Sequence, residues 1–159
     1  MRNRKESFEQ AKDYAFLLLK FRLRSERELE TRLKKKKFSE EATRQVIAFL
    51  REKKFLDDKL FAKSWVQFRV RRSLGARRIK EELALKGIDK EIIKSELEEL
   101  KKNYPEEELV SKLAQERLSK LHGIEPRSAQ RRVYAYLIRR GFSPEIVIDV
   151  LNNLCRQTF

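Results

Sequence analysis

The sequence predicts an all-α protein of three tandem three-helix repeats stacked into an elongated, curved rod. Three observations carry that prediction. Of 159 residues only four are glycine and three are proline, whereas 40% are charged and 40% hydrophobic, a composition suited to amphipathic helices and poor in the residues of sheets and their turns. Apolar residues recur at helical spacing almost throughout, with no strand-like alternation to compete. One frame is also used three times: Leu29, Leu33, Phe38, Ser39, then Ile79, Leu83, Ile88, Asp89, then Val133, Leu137, Phe142, Ser143. The copies lie 50 and 54 residues apart. Apolar residues follow three, eight and eleven places after each Ser or Asp, as Ala42, Ile47, Leu50, as Ile92, Leu97, Leu100 and as Ile146, Leu151, Leu154. A period of this length marks supersecondary units that bury their apolar faces against neighbours.

The first unit, residues 1–54, is expected to hold helices over 8–23, 25–36 and 39–53. Ala11, Tyr14, Ala15, Leu18 and Leu19 stripe its first helix, and Ser25 with Glu28 has capping-box spacing at the start of its second. In the second unit, residues 55–103, helices are expected over 57–72, 75–86 and 89–101. Leu60, Phe61, Ala62, Trp65, Val66, Phe68 and Val70 make the first of these apolar on most sides, which predicts a buried helix at the centre of the structure. The third unit, residues 104–159, is expected to run over 105–121, 126–140 and 143–154, with its longest loop at 122–125 and a short final helix. Ser39, Asp89 and Ser143 stand where a side-chain oxygen accepts from the first amides of a helix. Glu41, Glu91 and Glu145 follow at the positive end of the dipole, and Pro144 takes the tolerated first helical position. Gly87 and Gly141 suit the left-handed residue that ends the preceding helix; Lys37 replaces glycine in the first copy and predicts a less favourable turn there.

The chain carries a net charge of +14 and a pI near 10.0, which draws it toward polyanions. The excess is graded. Residues 1–54 hold 17 Lys and Arg against 9 Asp and Glu, residues 55–103 hold 13 against 9, and residues 104–159 hold 9 against 7. Cys155 is the only cysteine, so no intrachain disulfide forms and oxidising export is not implied. No apolar run approaches a membrane span, Met1-Arg2-Asn3-Arg4 leads into an amphipathic segment, and Glu6, Glu9 and Asp13 argue against a transit peptide, so a cytoplasmic location is expected. The apolar faces are matched among repeats and needed for the core, which leaves none to lie on a membrane.

Enzyme chemistry finds little to work with. His122 is the only histidine and stands before Gly123, so there is no zinc set, no Cys/His pair and no Ser-His-Asp triad. Asp57 and Asp58 read as a helix cap and a first-turn acid rather than as metal ligands. The four glycines are scattered at 75, 87, 123 and 141, so no phosphate loop forms. No cofactor or metal is expected, and function is expected to lie in binding.

The basic residues carry that expectation. Arg27, Arg77 and Arg131 each stand twelve places before a cap residue, early on the second helix and off its apolar stripe. Around them lie Arg32, Lys34 and Lys35, then Arg69, Arg72, Arg78 and Lys80, then Arg132, Arg139 and Arg140. Stacked with a constant rotation, the second helices would form a discontinuous basic ridge, and arginine engages carboxylates or phosphates bidentately.

The stretch Phe55-Leu56-Asp57-Asp58, Phe61-Ala62, Trp65, Arg69, Gly75-Ala76-Arg77-Arg78-Ile79, Leu83 and Gly87-Ile88 resembles the RecX family, bacterial regulators of the RecA recombinase. The resemblance covers nearly the whole chain, since the triple three-helix repeat is the family's architecture. Lys54 and Lys37 depart from it, both at glycine-type turns. What the resemblance implies is a non-enzymatic modulator that lies in the helical groove of the RecA filament on single-stranded DNA and restrains strand exchange, ATP hydrolysis and coprotease activity; a monomer is expected. An alternative from the residues alone is direct binding of single- or double-stranded DNA through the basic second helices. A helical scaffold for an unrelated acidic partner is a third.

Overall fold

The computed structural model describes residues 4–157; Met1 to Asn3, named above, lie outside, as do the side chains of Arg4, Glu6 and Cys155. Among the described residues the chain forms α1 (Arg4–Phe21), α2 (Glu26–Lys35), α3 (Glu40–Glu52), α4 (Asp58–Val70), α5 (Ala76–Leu85), α6 (Lys90–Asn103), α7 (Glu106–Leu118), α8 (Pro126–Arg139) and α9 (Pro144–Gln157), with no strand. The last helix is longer than expected.

Side-chain oxygens start the helices. Ser25 and Glu28 form the capping box on α2, Ser39 accepts from the Ala42 amide at 3.1 Å, Asp57 from Leu60 at 2.9 Å and Asp89 from Glu91 at 2.8 Å. Ser143 differs from expectation: its hydroxyl donates to the Glu145 carboxylate at 3.0 Å. Pro144 supplies no amide at the first helical position, so one fewer donor there needs a cap.

Five helices end in one motif. At Lys37, Lys54, Ser73, Gly87 and Gly141 the backbone turns to positive φ. The next residue's amide then reaches back five positions, from Phe38 to Leu33, Phe55 to Leu50, Leu74 to Arg69, Ile88 to Leu83 and Phe142 to Leu137. These are Schellman closures with an apolar residue after the left-handed one. Lysine at 37 and 54 therefore keeps the turn geometry that glycine gives elsewhere.

The chain forms two compact units, one of residues 1–65 and 83–93, the other of 66–82 and 94–159. In the first, Ala11 and Ala15 of α1 are fully buried against α2 and α3, and with Leu29, Leu33, Ala42, Val46, Leu50 and Leu56 they make its core. Phe8 meets Phe49 edge-on and Phe16 meets Phe55. In the second, α7 packs on α8 and α9 through Val110, Ala114, Val133, Leu137, Phe142, Val147 and Leu151. The repeated frame thus supplies both cores from equivalent positions.

One expectation is corrected. In α4 only Phe61, Ala62 and Val66 are buried; Trp65 is half-buried, Leu60 is 51% exposed and Phe68 44% exposed. Helix α4 buries a stripe and not its whole circumference, and residues off that stripe stay in water whatever their hydrophobicity.

Candidate functional site

In the first unit the start of α2 seats on the end of α5. The fully buried Ser25 hydroxyl donates to the Lys86 carbonyl at 2.7 Å while accepting from the Glu28 amide at 3.1 Å. The Arg27 stem crosses Gly87 so closely that a Cβ there would lie 2.2 Å from it, and Gly87 has φ +76°. Asp58 accepts from the Glu26 amide at 2.9 Å. Its carboxyl is raised by burial, against that hydrogen bond.

Above this seat lies a charged knot. Glu28 receives both terminal nitrogens of Arg22, at 3.0 and 3.2 Å, and Lys86 Nζ at 2.6 Å. Burial pushes the Glu28 carboxyl up, but the bonds from Arg22 and Lys86 outweigh it and hold the group at about 2. Lys86 Nζ also stands 4.1 Å over the Trp65 ring, which stacks on Phe61. Arg24 donates to the Leu18 carbonyl at 3.3 Å; burial and neighbouring Arg22 lower its pKa.

A groove of about 380 Å³ opens on the knot, lined by Arg22, Arg24, Arg27, Arg32 and Lys35 with Thr31 and Leu85. Arg27, Arg32 and Lys35 are exposed and have no carboxylate partner among the described residues. Lys34 is bound to Glu30 at 2.6 Å and stands outside the groove.

The second unit repeats the seat at the start of α5. The Gly75 amide donates to the Arg140 carbonyl at 2.8 Å and the Arg77 amide to Gly141 at 3.1 Å. A Cβ on Gly75 would lie 2.2 Å from the Gly141 carbonyl oxygen, and one on Gly141 2.4 Å from Arg78. Several expected binding residues serve this joint. Arg140 donates to the Ser73 and Arg72 carbonyls, Arg78 to the Arg139 carbonyl at 3.1 Å and to Glu82 at 3.3 Å, and half-buried Arg69 to Glu82 at 2.6 Å. Arg72 lies 4.5 Å over the Phe68 ring, and Arg131 reaches Ser128 at 3.5 Å. Arg77, Lys80, Arg132 and Arg139 remain exposed with no carboxylate partner among the described residues, and Arg77, Arg78 and Arg139 line a hollow of about 200 Å³.

Sequence reasoning overlooked Arg22, Arg24, Leu85 and Lys86. Lys86 had a signal, since it precedes the glycine that ends α5 and its carbonyl faces whatever seats there. No group of three or more metal-ligating side chains occurs among the described residues.

Comparison with known families finds all three repeats matched in order, RecX first three-helix domain over residues 11–50, second over 57–97 and third over 105–151. The chain is 34% identical over 149 residues to the Regulatory protein RecX of Mycolicibacterium smegmatis, covering 91% of this chain and 79% of that protein. It is 29% identical to that of Amycolatopsis mediterranei, covering 96% and 87%. The crystal structure of RecX from Lactobacillus salivarius superposes with a TM-score of 0.81 at 24% identity, over 94% of this chain and 97% of that one. With its three repeats matched in order and the same fold in that crystal structure, the chain belongs to the RecX family.

Proposed function

We propose that the protein is a non-enzymatic regulator of the RecA recombinase. It binds the RecA filament on single-stranded DNA along the filament's helical groove and restrains strand exchange, ATP hydrolysis and coprotease activity in recombination, DNA repair and the SOS response. It works in the cytoplasm as a monomer without a cofactor. Family membership supports the partner. The observation that carries the binding surface is that Arg27, Arg32 and Lys35 on α2, and Arg77 and Lys80 on α5, project from rigid helices without internal carboxylates. Cations that no internal carboxylate neutralises are open to an external anion. Adding the protein below stoichiometry to cognate RecA on single-stranded DNA is expected to slow both strand exchange and ATP hydrolysis; no change in either overturns the proposal.

Direct DNA binding is the second reading, because the same cations suit phosphates. It predicts tight binding to DNA alone, falling steeply with salt. Inhibition of RecA without such binding excludes it.

A further inference from the structure

The groove of the first unit holds a feature that a phosphate-binding surface does not need. Leu85 is 82% exposed, the most exposed of the large hydrophobic residues among those described, and it lines the same groove as Arg22, Arg24, Arg27, Arg32 and Lys35. No aromatic side chain lines the groove. Surfaces that take single-stranded nucleic acid stack bases on aromatic rings, and none is offered here. An aliphatic side chain amid cations instead suits a polypeptide whose carboxylates meet the rim while one apolar side chain covers the leucine.

We propose that this groove is the docking site for an acidic polypeptide segment that carries an apolar anchor residue, seated on Leu85 and flanked by carboxylates on Arg32, Lys35 and Arg27. Charge complementarity selects this occupant. Six basic side chains line the groove against the single carboxylate of Glu28, which Arg22 and Lys86 already occupy. The seat of α2 on α5 fixes the geometry: Ser25 is bonded to the residue after Leu85, and the Arg27 stem is pinned across Gly87, so cations and leucine keep a set spacing. The proposal deepens the filament-binding reading by naming the chemistry of the partner's segment, and rests on that reading only for the partner's identity.

The test uses the full chain and two fluorescently labelled short peptides of Asp and Glu, one with a central Leu and one with Ser in its place, beside an oligothymidylate of equal charge. Anisotropy at moderate ionic strength is expected to show the Leu peptide binding at least about tenfold tighter than the Ser peptide, the worth of one covered leucine. Leu85→Ser is expected to erase that preference without changing oligothymidylate binding. Arg32→Glu with Lys35→Glu weakens both peptides by about tenfold or more. Leu85 is exposed and the two cations are unpaired, so folding is retained, as circular dichroism checks. Equal binding of the two peptides, a preference surviving Leu85→Ser, or tighter binding of oligothymidylate than of the Leu peptide overturns the proposal. Peptide preference without inhibition of RecA sinks the filament reading alone; inhibition without peptide preference sinks the groove assignment alone.

Discussion

Two residues test the energetics most directly. Thr43 is buried on α3, and its hydroxyl is the one buried side-chain oxygen found without a hydrogen bond among the described residues. The equivalent positions four places after the other caps are Ile93 and Val147, both buried. Valine has nearly the shape of threonine and needs no partner, so Thr43→Val is expected to raise unfolding free energy by about 1 kcal/mol, read by chemical denaturation. Glu28 sets a pH dependence. Its folded value of about 2 lies below the ordinary 4.5, so the ionised form is favoured by folding. That stability is fully present above about pH 4.5 and is lost as pH falls toward 2. Glu28→Gln should therefore cost about 1 kcal/mol at neutral pH, after allowance for solvent screening, and the gap from the wild type should close between those limits. A gap constant down to pH 2 contradicts the Arg22–Glu28–Lys86 knot.

At the scale of elements, helix positions were legible because the apolar frame and the caps repeat. Burial around α4 was not, because counting apolar residues cannot say how many neighbours a helix will have; Trp65, Leu60 and Phe68 show the difference. The turns explain why glycine is needed at two places and not at a third. Gly87 and Gly141 each lie under a seated helix, through Arg27 and Arg78, so both φ and space exclude a side chain. Lys37 has the same φ sign, at +67°, and its own side chain is exposed, so its cost is conformational only. Lys37→Gly is accordingly expected to stabilise by about 1 kcal/mol, whereas Gly141→Ala should destabilise by about 2 kcal/mol or more. Thermal melts of the two variants moving in the same direction would refute this account of the seats.

For the whole molecule, the net charge of +14 makes attraction to any polyanion unavoidable, so what must be separated is a surface from a charge. The sequence placed Arg27, Arg32 and Lys35, and Arg77 and Lys80, on the correct helices. It could not show that Arg69 is spent on joining α4 to α5, Arg78 on joining α5 to the end of α8 and Arg140 on holding the α4–α5 turn, because those partners are backbone carbonyls and a carboxylate that only the fold brings near. The discriminating pair is therefore Arg77→Glu with Lys80→Glu, both exposed and free of internal carboxylates, which omits Arg78 because its guanidinium is structural. Co-sedimentation with RecA filaments is expected to fall by about tenfold or more, with unfolding free energy within about 0.5 kcal/mol of the wild type. The same reversal at exposed Lys112 and Lys120 removes equal charge elsewhere on the second unit. If binding depends on a located surface, that control retains filament affinity at physiological salt, where charges farther apart than about 8 Å are screened from one another. Equal losses from both pairs would mean that the filament responds to net charge and that α5 has no special part in binding.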